Sequence, residues 1–219
     1  MNIIQAPCPH FNERALPLDS IILHYTDMPH MEETLACFAS PHSKVSCHYL
    51  ICEKGQVYQL VDDEKRAWHA GESSWQGCTD LNSCSLGIEL ANPGHSHGYL
   101  PFPEIQIESL IRLCHMLVKR WNISPSRILG HSDIAPRRKQ DPGHLFPWET
   151  LAKEGLGLWP NNKELRSQRD LTEMLAGIGY ETISPSHALI AFQRHFQPHK
   201  IDGIPDEETF RLVQGVLGA

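Results

Sequence analysis

Gly130-His131-Ser132-Asp133-Ile134-Ala135-Pro136-Arg137-Arg138-Lys139-Gln140-Asp141-Pro142-Gly143-His144 is the stretch on which the reading of this chain turns. It places a histidine, a lysine and an aspartate in one short segment whose prolines and glycines read as a stiff loop. A catalytic zinc takes three fixed protein ligands and leaves one position for water. The segment offers two ligands, His131 and Asp141. The third must come from elsewhere, and the best candidate is His24 in the apolar run Ile21-Ile22-Leu23-His24-Tyr25-Thr26.

Working outward, that run reads as a buried strand over 20–26. An imidazole inside such a strand is costly unless something satisfies it. Met31 to Ala39 reads as a helix. Ser46–Ile51 and Gln56–Val61 read as strands of a hairpin, turned at Glu53-Lys54-Gly55. Residues 1–20, interrupted by Pro7, Pro9 and Pro17, read as an extended lead-in, and Ala67 to Trp75 as loop. Ser85-Leu86-Gly87-Ile88-Glu89-Leu90 is a further apolar strand with one charge. Pro103 to Trp121 is an amphipathic helix with Leu110, Leu113, Cys114, Leu117 and Trp121 on one face and Arg112, His115 and Lys119 on another. Arg127 to Gly130 is a last strand feeding the opening segment. Strands and helices interleave, so residues 1–160 form an α/β domain. After Trp159-Pro160, Asn161-Asn162-Lys163-Glu164 reads as a linker. Three helices follow in 161–219. Asp170–Ile178 is stopped by Gly179, Ser184 caps a helix that starts at Pro185 and runs to Phe196, and Asp206–Leu217 is the third.

Composition narrows the class. The 219 residues are 41% hydrophobic and 21% charged, ordinary for a globular protein. A net charge of -7 argues against a nucleic-acid partner, which needs basic patches. No apolar run reaches the roughly 18–20 residues of a membrane span. The N-terminus has neither a basic start nor an apolar core, so no signal peptide is expected. The seven cysteines are irregularly spaced, with no Cys-x-x-Cys pair. They read as buried free thiols of a reducing, cytoplasmic compartment.

Three further residues suit the metal reading. Glu89, the one acid in its strand, fits a carboxylate that takes a proton from water beside a metal. It reads equally as a strand-end acid facing solvent. Lys139 can stabilise charge on a carbonyl oxygen, or be a solvated lysine beside Arg137 and Arg138. His69, in Trp68-His69-Ala70-Gly71, is a substrate contact or a loop histidine packed on tryptophan. Cys47 and His48 are adjacent on a strand, point to opposite faces and cannot activate each other.

These motifs resemble the zinc-dependent N-acetylmuramoyl-L-alanine amidases, which share a fold with bacteriophage T7 lysozyme and the peptidoglycan-recognition proteins. The resemblance rests on Leu23-His24-Tyr25-Thr26, Ser46-Cys47-His48-Tyr49, Trp68-His69-Ala70-Gly71, Gly87-Ile88-Glu89-Leu90 and Gly130-His131-Ser132-Asp133 with Lys139-Gln140-Asp141-Pro142-Gly143. They run in family order over about 5–160. The layout is most similar to the AmiD branch. Phe192-Gln193 and Asp202-Gly203 are similar to three-helix peptidoglycan-binding modules. The resemblance implies a mixed central sheet flanked by helices. It implies Zn2+ on His24, His131 and Asp141, Glu89 as acid/base, Lys139 as oxyanion stabiliser, and substrate contacts at His69, Trp68 and His48. The substrate implied is peptidoglycan or an anhydro-muropeptide, cut between the lactyl group of N-acetylmuramic acid and L-alanine. A non-catalytic muropeptide receptor is the alternative. Members of the AmiD branch are exported lipoproteins, so a periplasmic or outer-membrane location is the alternative to the cytoplasm. Arg137 stands where the family commonly has glycine.

Overall fold

The computed structural model describes residues 1–161 and 170–218. Of the expected linker, Asn162, Lys163 and Glu164 lie outside the described residues. The chain opens with β1 (Ile3–Gln5), β2 (Phe11–Glu13) and β3 (Ser20–Tyr25), then α1 (Met31–Ala39), β4 (Tyr49–Ile51), β5 (Val57–Gln59) and β6 (Lys65–Ala67). Next come α2 (Leu81–Cys84), β7 (Ser85–Leu90), α3 (Gly94–His97), α4 (Glu104–Trp121), β8 (Ile128–Gly130), α5 (His131–Ile134) and α6 (Trp148–Lys153). The C-terminal helices are α7 (Leu171–Ile178), α8 (Pro185–Phe196) and α9 (Glu207–Leu217).

Six strands form one mixed sheet in the order β1-β5-β4-β7-β3-β8, and β2 pairs with β6 in a small antiparallel ribbon. The β4–β5 hairpin is antiparallel, while β4, β7, β3 and β8 run parallel. Parallel strands are covered on both faces, which is why β3 and β7 read as near-continuous apolar runs. Their side chains alternate. Ile21, Leu23 and Tyr25 of β3 and Leu86, Ile88 and Leu90 of β7 pack on one face with Leu110, Leu113, Cys114 and Leu117 of α4. Each such fully buried aliphatic side chain stabilises the fold by roughly 1.5–3 kcal/mol. The even positions of β3 and the odd positions of β7 face the other way. Register pairs His24 with Glu89, so the two functional candidates sit side by side on the face away from α4.

That second face is covered in two parts. Phe38 of α1 packs with Cys47, Leu50, Leu60 and Ala67. Ile22, Leu129 and Ile134 pack with Met174, Leu189 and Phe192 of the C-terminal helices, so residues 170–218 share a core with the sheet. No helix among the described residues is long and apolar enough to cross a membrane.

Several expectations need correction. The lead-in holds β1 and β2, and the loop before Trp75 begins with β6; three-residue edge strands carry too little pattern to be recognised. His131 opens a helical turn rather than a loop. Ser184 occupies the cap position of α8 without capping it, because its hydroxyl pairs with His187 Nδ1 at 2.7 Å. All seven cysteines are free, and Cys37 and Cys78 are only half-buried.

Candidate active site

The site lies at the carboxyl ends of three neighbouring parallel strands, where open α/β sheets bind ligands. His24 is near the end of β3, Glu89 near the end of β7, and His131 directly follows β8. Asp141 returns from the loop beyond α5, held by Ser132 N–H donating to the Asp141 carbonyl at 2.8 Å. The Asp141–Pro142 peptide is cis.

His24 Nδ1, His131 Nδ1 and Asp141 Oδ2 form a small triangle with edges of 2.9, 3.0 and 3.0 Å. All three residues are buried. The outer hydrogen bonds decide what these atoms carry. His131 Nε2 donates to the Ala70 carbonyl at 3.0 Å, which leaves Nδ1 with its lone pair. Ser85 Oγ donates to the Leu81 carbonyl, so His69 Nε2 donates to Ser85 Oγ at 3.3 Å and His69 Nδ1 accepts from His24 Nε2 at 3.0 Å. His24 Nδ1 is therefore also a bare lone pair. Burial, followed by the neighbouring His131, lowers His24 to about 4, which keeps its ring neutral at pH 7.

Three lone pairs thus converge with no proton between them. Such a set is repulsive by itself and fits a cation. Two imidazoles and one carboxylate are a zinc donor set, and a tetrahedral ion with bonds of about 2.0–2.1 Å has donors roughly 3.3 Å apart. The backing by Ala70 and His69 is the kind of outer support that fixes ligand tautomers.

The triangle opens into a cleft of about 340 Å3 that also reaches Glu89, Lys139, Trp68 and His69. Glu89 Oε2 is buried with no hydrogen-bond partner. Burial, then the charge of Asp141, pushes its carboxyl up to about 8. Lys139 is half-buried; its backbone N–H donates to the Ala135 carbonyl at 2.9 Å, while its ammonium makes no hydrogen bond or ion pair among the described residues. Trp68 Nε1 donates to Asn12 Oδ1 at 2.7 Å, which fixes the indole at the cleft wall.

His48 is not brought to the cleft. It is fully buried, with Nδ1 accepting from Gly87 N–H at 2.9 Å and Nε2 donating to the Lys65 carbonyl at 3.0 Å. Burial, then Arg14, lowers it to about 3, so it is a neutral strut between strands. His69 lies deeper than a surface contact. A Cβ on Gly87 would come within 2.7 Å of its ring, so only glycine lets His69 lie against β7.

Residue patterns did not single out Asn82. Its Oδ1 accepts from His69 N–H at 2.9 Å and Ala70 N–H at 2.7 Å, so it carries the segment that backs both His24 and His131. A buried asparagine in a polar stretch has no marker in a single sequence.

Residues 14–144 match the model of a family described as N-acetylmuramoyl-L-alanine amidase. The N-acetylmuramoyl-L-alanine amidase AmiD of Escherichia coli is 35% identical over 90% of this chain and 81% of its own length. The 1,6-anhydro-N-acetylmuramyl-L-alanine amidase AmpD of Haemophilus influenzae is 34% identical over 66% of this chain and 88% of its own. A solved complex of the E. coli AmiD with anhydro-N-acetylmuramic acid-L-Ala-D-gamma-Glu-L-Lys superposes with a TM-score of 0.82 at 33% identity, covering 95% of this chain and 97% of that one. AmpDh3 from Pseudomonas aeruginosa gives a TM-score of 0.82 at 28% identity, covering 91% of each chain.

Proposed function

This chain belongs to the N-acetylmuramoyl-L-alanine amidase family, and we propose that His24, His131 and Asp141 hold the single zinc ion with which it hydrolyses its substrate. The reaction is hydrolysis of the amide between the lactyl group of N-acetylmuramic acid and L-alanine. The substrate class is a muropeptide, in its anhydro form or within peptidoglycan, as bound by the E. coli AmiD in its complex.

When bound, zinc supplies Lewis acidity that polarises the scissile carbonyl and eases loss of a proton from water at neutral pH. The chain's own residues do the rest. Glu89, favoured as a carboxylate by the charge of a bound dication, takes the proton of the attacking water on its unpartnered oxygen and passes it to the departing L-alanine amine. The Lys139 ammonium faces the charge that develops on the carbonyl oxygen. His69 and the Ala70 carbonyl keep both imidazoles in the tautomer that presents Nδ1. Trp68 offers an apolar wall to the sugar or peptide. We assign residues 1–160 to catalysis, and the helices of 161–219, by their likeness to peptidoglycan-binding modules, to holding the polymer.

The convergence of three lone-pair atoms beside an acid without a partner carries this reading. A receptor needs no such acid. Mass spectrometry of digested muropeptides tests it. The expected products are a free peptide beginning with L-alanine and a peptide-free muramic sugar, lost on chelation and restored by zinc. Cleavage inside the stem peptide, or binding without cleavage by zinc-loaded protein, would refute it.

A further inference from the structure

Asp133 lies two residues beyond His131 and is 1% exposed. Its Oδ2 accepts from Gly130 N–H at 2.7 Å, closing the turn that carries His131. The other partners of this carboxylate come from far down the chain. Tyr180 Oη donates to Oδ1 at 2.8 Å, and His195 Nδ1 donates to Oδ2 at 2.8 Å. Tyr180 precedes α8 and His195 lies on it. The His195 ring is clamped between Trp148, 3.8 Å away at 17°, and Phe196, 3.9 Å away at 13°. Trp148 also closes on Gly130, where a Cβ would sit 3.1 Å from the indole and 2.9 Å from Pro142 Cδ, next to Asp141. One buried carboxylate therefore ties the C-terminal helices to the turn bearing a ligand histidine.

We propose that Tyr180 and His195 are positioning residues of the metal centre: through Asp133, the C-terminal helices hold the turn that presents His131. The C-terminal module is then part of the catalytic scaffold as well as a candidate polymer holder. This rests on His131 being a ligand. The reasoning is physical. An ionised carboxylate out of water must have its lone pairs occupied. Gly130 N–H alone cannot satisfy Asp133. If the two C-terminal donors go, Asp133 turns toward water or another donor, and the turn it caps moves with it. Outer partners of this kind set ligand orientation and affinity.

The test uses the full chain and reads zinc affinity by competition with a chromogenic chelator, alongside thermal melting. The double variant Tyr180→Phe, His195→Leu is expected to bind zinc about 10–100-fold more weakly. Tyr180→Phe alone keeps the ring and covers the case in which the double variant fails to fold; a smaller loss in the same direction is expected. His195→Asn keeps an N–H donor where Nδ1 stood and is expected to restore most of the affinity. Gln76→Ala loosens the same interface, by removing Gln76 Nε2 from the Ile178 carbonyl at 3.2 Å, without touching Asp133, and is expected to leave affinity unchanged. The inference is overturned if the folded variants bind zinc as the wild type does, or if Gln76→Ala weakens binding as much as they do. A wild-type chain that binds no zinc would instead sink the ligand reading, and this inference with it.

Discussion

Replacing Glu89 by glutamine removes a charge and a proton acceptor while keeping shape. The structure sets the size of the effect. Glu89 Oε2 has no partner, so the amide breaks no protein hydrogen bond at that atom. Substitutes are poor: Asp141 is committed to the proposed metal, and the oxygens of Asp27, the other acid at the cleft, are both taken by Ser96 at 3.0 and 2.6 Å. A positioned general base contributes about 100–10,000-fold, and with no replacement the loss should fall near the upper part of that range. That corresponds to about 4–5.5 kcal/mol in the barrier at roughly 1.4 kcal/mol per decade. Stability should move the other way. A carboxyl pushed up to about 8 binds its proton more tightly folded than unfolded. The folded state therefore loses stability as pH rises from the ordinary carboxylate value, about 4.3, toward 8. Glutamine has no such dependence. Metal-free Glu89→Gln should melt above metal-free wild type, with the gap widening between pH 5 and pH 8. The assays are muropeptide turnover by the zinc-loaded protein and melting of the stripped protein across pH. Turnover within tenfold of wild type at equal zinc content, or a gap that does not grow with pH, would refute the reasoning.

Three other outcomes follow from the same geometry. Lys139→Met should lower kcat by about 100–1000-fold with little change in KM, as steady-state kinetics would show, because the ammonium acts on developing charge. Asn82→Ala leaves the His69 and Ala70 N–H groups unpaired. It should cost about 1–3 kcal/mol in chemical denaturation and weaken zinc binding in the chelator assay. Gly130→Ala forces a methyl toward Pro142 and Trp148. It should cost about 1–3 kcal/mol of stability and release zinc faster, as stopped-flow chelation would record.

Much of this arrangement could be read from residues in order. β3 and β7 were evident because a strand buried on both faces must be apolar at every position but those that work, which made His24 and Glu89 conspicuous. The 3.6-residue stripe of α4 and the stop at Gly179 placed helices whose packing follows local rules. What escaped was non-local or too short. The strands β1, β2 and β6 have three residues each and lean on partners up to about 56 positions away. His48 was misplaced because a histidine bonded to a neighbouring strand's backbone looks, in sequence, like one facing a cleft. The pairing of His24 with Glu89 depends on register. The meeting of Asp133 with Tyr180 and His195 spans 47 and 62 positions, which no spacing rule reaches.

X-ray absorption at the zinc edge of the purified chain tests the centre most directly. The account predicts one zinc per chain, with two imidazole nitrogens and light oxygen donors at about 2.0–2.1 Å and no sulfur shell. A sulfur shell near 2.3 Å, drawn from the cysteines, or a chain that takes up no stoichiometric zinc, would contradict it.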